Sequence, residues 1–570
     1  MTRHGTENLG SHARQRRARW ALLAACLLAA GCGSTSAPGQ PDVALEQPAP
    51  TDTTGDTTPE PTSTEPAPGE APTTDPLRVD TTLGPVVGEI TDTAVNAWTA
   101  IPYAAPPLAD NRWRAPQPHP GWTDDFDATT TGRMCPQPTV TFGTRSLNSP
   151  EQDEDCLTLS VWSPDDARDL PTIVSIHGGG NLIGSAHEPL YDGTDLATEG
   201  LVVVGINYRL GALGFLAHPD APDGAINFGV MDQQAALEWV RDNVAAFGGD
   251  PDNVTIAGHS SGGYSVCAHL AADASAGLFH KAIIQSGGGC GAYQQLKAAR
   301  AVSATLVAST SCADAAEQLA CLRELDAEEL TRTDSPREIV GDGVVVADTG
   351  MERAAAGALN EIPIMIGSTR DEFTLFTIDM SEPSDDSLFN TVRGRTLGAA
   401  DEIMALYPAD DYESNLARFE TIQNDLGYAC AAEAFAETLA AAGGTAYRYY
   451  FAHEPEIDPD GLGATHASEL VMLFRTPTAF AGYPVELDAL VGTDRQLSAD
   501  LQRAWASFAA KGAPDAPVPW SPTAPTAPTI MQMDTEWTSR SEIRDGRCGP
   551  VAEALGAYYA ILSTLRSADL

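Results

Sequence analysis

The sequence predicts an α/β fold with a large, mostly parallel central sheet and helices on both of its faces. Apolar runs of strand length carry this prediction first: residues 172–176, 201–206, 254–257, 281–285 and 362–366. They lack the alternation of a half-exposed strand, so each is expected to be buried on both sides. The second observation is helical spacing between such runs. In 229–247, Ala236, Val240, Val244 and Phe247 recur on one helical face, and Gly248-Gly249 ends the pattern. The third is continuity, since from Leu77 onward these segments alternate without an internal repeat or a low-complexity break. Residues 77–570 therefore read as one domain, a length that large α/β enzymes reach. A hydrophobic content of 43% supplies its core.

The residues before Leu77 read differently. Arg14, Arg16, Arg17 and Arg19 precede the apolar run 20–30, which is the layout of an export signal. That run is shorter than the roughly 20 residues needed to span a bilayer. It ends in Leu28-Ala29-Ala30-Gly31-Cys32, which resembles a bacterial lipoprotein signal. The resemblance implies removal of residues 1–31 and a lipid on Cys32, although Leu28 stands one position farther from the Cys than is usual. Residues 32–76 are mostly Pro, Thr, Ala, Gly, Ser and acids. With so few apolar side chains to offset ordering entropy they read as a disordered tether, reaching ~35–40 Å as a flexible chain. The product is expected to be exported, as a cell-envelope lipoprotein or a secreted protein. Net charge is −45, from 78 acidic against 33 basic residues. Such a surface repels phosphate backbones, which argues against nucleic acid as a partner. Membrane contact is expected only through the N-terminal lipid.

The chemistry begins at Gly258-His259-Ser260-Ser261-Gly262. G-x-S-x-G is common by itself, but here it lies between the strand-like 254–257 and the helix-like 264–272. That is the setting of a nucleophile elbow, where a sharp strand-to-helix turn projects the Ser260 hydroxyl outward. Directly after the run 172–176 comes His177-Gly178-Gly179-Gly180-Asn181. A glycine run there lets backbone N–H groups approach a developing oxyanion. By resemblance to hydrolases with an H-G-G-G stretch, Gly179 and Gly180 would donate together with the N–H of Ser261. Each such donor contributes ~3–4 kcal/mol of transition-state stabilisation.

Further stretches follow in order: Ile101-Pro102-Tyr103, Glu154-Asp155-Cys156-Leu157-Thr158-Leu159, Asn207-Tyr208-Arg209-Leu210-Gly211, Asn227-Phe228-Gly229, Asp232-Gln233, Phe247-Gly248-Gly249-Asp250-Pro251 and Gln285-Ser286-Gly287. Together they resemble the type-B carboxylesterase family, which includes cholinesterases and fungal lipases, from about Thr81 to Cys548. The resemblance implies the α/β-hydrolase fold and a triad in the order Ser, Glu, His. Its acid falls in Gly367-Ser368-Thr369-Arg370-Asp371-Glu372, which makes Glu372 the triad acid. The residues alone do not separate Glu372 from Asp371. Its base falls in Gly463-Ala464-Thr465-His466-Ala467-Ser468-Glu469-Leu470, which makes His466 the base. The expected reaction is ester hydrolysis through an acyl-enzyme on Ser260, with a small-molecule ester as partner. No metal or organic cofactor is called for, and C-x-x-C spacings that would suggest zinc are absent.

Without residues 1–31 the chain has nine cysteines, and a lipid on Cys32 leaves eight. The family resemblance implies that Cys135 bridges Cys156 and that Cys312 bridges Cys321. Cys430 with Cys548, and Cys267 with Cys290, is a looser completion, with a buried helix thiol as the alternative for Cys267. Two departures stand out. His259 occupies the position before the nucleophile where the family has Glu. A side chain there is expected to point away from the nucleophile and to alter the electrostatics without replacing the base. The segment between Cys135 and Cys156 contains no Trp, whereas cholinesterases hold a quaternary ammonium on a Trp in that loop. Neutral carboxylic esters of short to medium acyl chain are the expected substrates. The alternatives are a lipase acting on longer chains, and a non-catalytic binding or adhesion protein on the same fold.

Overall fold

Each continuous apolar run forms a strand of a single sheet in the computed structural model. The structure describes residues 77–570 apart from 143–144, 147–150, 223–224, 397, 457, 459–460, 477–489, 491 and 570. The export signal 1–31, Cys32 and the tether 32–76 lie outside the described residues.

In chain order the strands are β1 (Glu89–Ile90), β2 (Val95–Pro102), β3 (Thr158–Pro164), β4 (Leu170–Ile176), β5 (Val202–Ile206), β6 (Gly249–His259), β7 (Lys281–Gln285), β8 (Ile364–Thr369), β9 (Ala446–Phe451), β10 (Ile530–Met533) and β11 (Thr538–Arg540). Their order across the sheet is β11-β10-β9-β8-β7-β6-β4-β5-β3-β2-β1. The block from β5 through β10 is parallel. Both flanks are antiparallel, as in β3 against β5 and β10 against β11.

Successive side chains of a strand face opposite ways, and in this sheet both faces are buried. Val174 and Ile176 of β4, Val204 of β5 and Ile366 of β8 enter one core. There they meet α1 (Phe228–Asn243), α2 (Ser261–Ala271) and α3 (Cys430–Ala441). Ile173, Val203 and Met365 enter the other, packed on α4 (Ser468–Phe474) and α5 (Gly492–Lys511). Full burial of each such side chain contributes ~1.5–3 kcal/mol, so both cores hold the parallel block from either side.

The boundaries shift for local reasons. Pro363 cannot donate to a ladder, so β8 starts at Ile364, not 362, and its pairing with β9 carries it to Thr369. β6 reaches back to Gly249, which pairs with Leu170 across an irregularity before Val254. The predicted helix 229–247 is α1 followed by a 3-10 turn, Val244–Phe247, closed by Gly248 at φ 85°.

Four disulfides join Cys135 to Cys156, Cys267 to Cys290, Cys312 to Cys321 and Cys430 to Cys548. The looser pairings thus form as well, and Cys267 is a bonded residue that ties α2 to the segment after β7. Among the described residues no helix is long and apolar enough to cross a membrane. Because the central strands run parallel, the C-terminal ends of β6, β8 and β9 open onto one edge. That edge carries Ser260, Glu372 and, on the segment after β9, His466, the position where open α/β sheets place their sites.

Candidate active site

Ser260 sits between β6 and α2 with φ 56° and ψ −122°. A non-glycine residue in that region is strained by ~1–3 kcal/mol and persists only where its surroundings dictate it. The surroundings here are tight. A Cβ on Gly262 would lie 2.1 Å from the Ile176 carbonyl oxygen, and one on Gly258 would lie 2.2 Å from that of Gly262. The Ser260 N–H donates to the Gln285 carbonyl at 2.8 Å, and its own carbonyl accepts the Tyr264 N–H at 3.0 Å. The elbow is thereby fixed to β7 and to the first turn of α2.

The glycine run faces this turn. Gly179 has φ +110°, a conformation that L side chains rarely adopt. The run is held from outside: the Gly178 N–H donates to Tyr191 Oη at 2.9 Å, Tyr208 Oη donates to the His177 carbonyl at 2.9 Å, and the Asn181 N–H donates to Ser261 Oγ at 3.1 Å. Among the described residues, none of the hydrogen bonds uses the N–H of Gly179, Gly180 or Ser261. Burial holds the His177 imidazole down at about 4, so its ring is uncharged at neutral pH.

Glu372, fully buried, follows β8. Its Oε1 accepts the Thr369 N–H at 2.8 Å and the Ser286 hydroxyl at 2.6 Å. Its Oε2 is in hydrogen-bond contact with His466 Nδ1. Asp371 turns the other way, accepting the Ala464 N–H at 3.0 Å and the Arg370 guanidinium at 2.7 Å. So Glu372 touches the imidazole, while Asp371 pins the segment that carries it. His466 is buried, and its Nε2 has no hydrogen-bond partner among the described residues. It is not hydrogen-bonded to Ser260. Three rings surround it: His259 at 4.5 Å between centroids, Phe376 at 4.9 Å and Tyr428 at 5.6 Å.

The family model described as the carboxylesterase family matches residues 75–549. The chain belongs to the carboxylesterase family. Para-nitrobenzyl esterase of Bacillus subtilis is 36% identical to it over 76% of this chain and 90% of that protein. Fumonisin B1 esterase of Sphingopyxis macrogoltabida is 32% identical over 79% and 84%, and acetylcholinesterase of Bungarus fasciatus 31% over 77% and 79%. Among solved structures, a thermophilic para-nitrobenzyl esterase superimposes with a TM-score of 0.74 at 33% identity, covering 83% of this chain and 99% of the other.

This carboxylesterase is a carboxylic ester hydrolase of the α/β-hydrolase fold. Some of its site residues escaped sequence reasoning. Ser286 was visible within Gln285-Ser286-Gly287, but nothing there indicated a bond to Glu372. Tyr428 arrives on a π-helical turn, Asp425–Ala429, far in sequence from every motif. Glu469 lies in the His466 stretch, buried, with neither carboxylate oxygen hydrogen-bonded among the described residues. Burial first, and then the nearby Glu372, lift its carboxyl to about 8, so it is largely protonated at neutral pH. His259, expected to point away from the nucleophile, packs its ring on His466, a contact the sequence did not indicate. Among the described residues no group of three or more His, Cys, Asp or Glu side chains is placed to hold a metal ion.

Proposed function

We propose that this carboxylesterase hydrolyses neutral carboxylic esters through an acyl-enzyme on Ser260. The observation that carries the reading is the asymmetry of His466. One ring nitrogen is bonded to a buried, doubly hydrogen-bonded carboxylate, and the other is buried without a partner among the described residues. With Nδ1 donating to Glu372, Nε2 is the acceptor tautomer that a general base needs. His466 takes the Ser260 proton as Oγ attacks the ester carbonyl, then returns it to the departing alcohol. Glu372 holds the tautomer and stabilises the imidazolium. The tetrahedral oxyanion is received by the N–H groups of Gly179, Gly180 and Ser261, which spend no bond elsewhere in the described structure. A water deprotonated by His466 then cleaves the acyl-enzyme.

Phe376 and Tyr428 give the neighbourhood of the base an aromatic wall suited to uncharged esters. The absence of a Trp between Cys135 and Cys156 argues against choline esters. Export fits the four disulfides, with a lipid on Cys32 as the anchor.

The test is hydrolysis of p-nitrophenyl esters of increasing acyl length by the purified protein and by Ser260→Ala. The variant is expected to lose about 10⁴-fold or more in kcat/KM, with the parent rate peaking at short to medium chains. A rate that climbs to long chains and jumps at an oil–water interface would make it a lipase. Equal inertness of both proteins on every ester would favour the binding-protein alternative.

A further inference from the structure

A second imidazole stands beside the proposed nucleophile, and the steps above do not use it. His259 is the last residue of β6 and is 4% exposed. Its ring centroid lies 4.5 Å from that of His466, with the planes tilted by 46°. Its Nε2 is buried without a hydrogen-bond partner among the described residues. It also borders the glycine run: a Cβ on Gly178 would lie 2.8 Å from the His259 carbonyl oxygen and 3.2 Å from its Nδ1. Behind it is a cavity of about 10 Å³ with largely apolar walls, including Ile173, Leu470, Leu473, Phe474 and Trp505. One residue thus touches the elbow, the glycine run and the base.

A charged ring at this point would lack solvation, and it would oppose the positive charge that His466 gains on taking the Ser260 proton. Burial first, and then the neighbouring His466, hold His259 well below the ordinary His value. Other titratable groups stand near the base and its carboxylate. Glu372 comes from the end of β8, Glu469 from α4, Tyr428 from the π-turn, Tyr264 from α2 and Tyr449 from β9. Arg395 and Glu338 act on Tyr264 and Tyr428 from farther out. Burial raises all three tyrosines and Glu469, so at neutral pH these are largely protonated.

We propose that His259 is a positioning residue for His466, an uncharged ring that steadies the base's imidazole and leaves Glu372 the single anion in contact with it. A base with one anionic partner holds its proton less tightly than a base with two. A second carboxylate in place of His259 would therefore move the acid limb of activity upward. This rests on the Ser260–His466–Glu372 reading.

The test is the pH profile of kcat/KM on a neutral p-nitrophenyl ester for the parent, His259→Glu and His259→Gln. His259→Glu adds an anion beside the base, so its acid limb is expected to move up by about one pH unit or more. His259→Gln adds no charge, and its acid limb is expected to stay in place while kcat falls several-fold at unchanged KM. An acid limb of His259→Glu that coincides with the parent's overturns the proposal. If neither variant folds, histidine-labelled parent protein decides by NMR. An imidazole close to His466 that stays neutral as pH falls through the ordinary His value is expected, and one that titrates at or above that value overturns the proposal. The two ways of failing are distinct. Hydrolysis surviving in Ser260→Ala sinks the underlying triad. Ser260-dependent hydrolysis with an unmoved acid limb sinks only the role of His259.

Discussion

Two histidines leave the end of β9, both buried and both bonded to carboxylates, and they are built for opposite purposes. His453 lies between two acids, its Nε2 2.5 Å from Asp494 Oδ1 and its Nδ1 3.4 Å from Asp534 Oδ1. Both nitrogens must donate to satisfy both partners, so the favoured form is the imidazolium, which has no lone pair with which to take a proton. His466 has a carboxylate on Nδ1 alone, and its Nε2 has no partner among the described residues. A carboxylate on one nitrogen suits the base proposed for His466, and carboxylates on both make a clamp of His453. The clamp stands at the start of the segment that carries the base. Asp494 lies in the first turn of α5, and it also accepts the Glu456 N–H at 3.1 Å.

The contrast can be broken most directly by deleting each ring. His466→Ala is expected to lose about 10⁴-fold or more in kcat/KM, because base and nucleophile act as a unit. His453→Gln is expected to stay within about threefold of the parent rate while its thermal midpoint falls, since only the clamp is loosened. Parallel kinetics and melting of the two variants check this. Losses of similar size in both would erase the distinction between base and clamp.

A smaller effect sharpens the base side. Ser286→Ala removes one of the two hydrogen bonds to Glu372 Oε1 and leaves the Thr369 N–H. Losing one bond to a charged carboxylate corresponds to ~1.5 kcal/mol, or about tenfold in kcat, and KM is expected to hold because Ser286 supports the acid from behind. A drop confined to KM would instead place Ser286 against substrate.

How much of this was legible depended on distance along the chain. The parallel strands and the elbow could be read because their causes are local. A buried strand leaves a continuous apolar run, and Gly258 and Gly262 leave room for backbone that a Cβ would strike. Glu372 could be chosen over Asp371 only through family resemblance, since adjacent carboxylates look alike until one turns inward and the other meets Arg370. His466 could be ranked above His453 only through the family resemblance of its stretch, since nothing in the residues themselves separates the two rings. Their bonding partners lie 41, 81 and 94 residues away, so only the assembled sheet reveals that one ring is fully bonded and the other half-bonded. Ser286 and Tyr428 were hidden for the same reason. His259 was visible as a departure from the family, but its contact with His466 follows from how β6 and the segment after β9 end side by side.

The smallest expected effect concerns the clamp and pH. Burial alone would lower the His453 value, but the hydrogen bonds and charges of Asp494 and Asp534 outweigh it and raise the value above that of an ordinary His. A raised folded value stabilises the protein fully below the unfolded His value of about 6.5, and that stabilisation is lost as pH rises through the folded value. Glu469 acts in the same direction. Its carboxyl is lifted to about 8, so the folded state holds a proton that the unfolded chain has already released, and stability falls as pH approaches 8. His177 and His269 act oppositely, since burial holds them at about 4 and about 3. They must gain protons on acid unfolding, so their contribution grows with pH until about 6.5. These opposing slopes place the greatest stability near pH 6 to 7. Because Glu469 persists in His453→Gln, both proteins are expected to melt lower at pH 8.5 than at pH 6.5. The parent should lose about one degree more than the variant, the shift that ~1 kcal/mol produces in a domain this large. Melting curves that run parallel above pH 6.5 would show that His453 is already neutral there, so that its two carboxylates hold it without its charge.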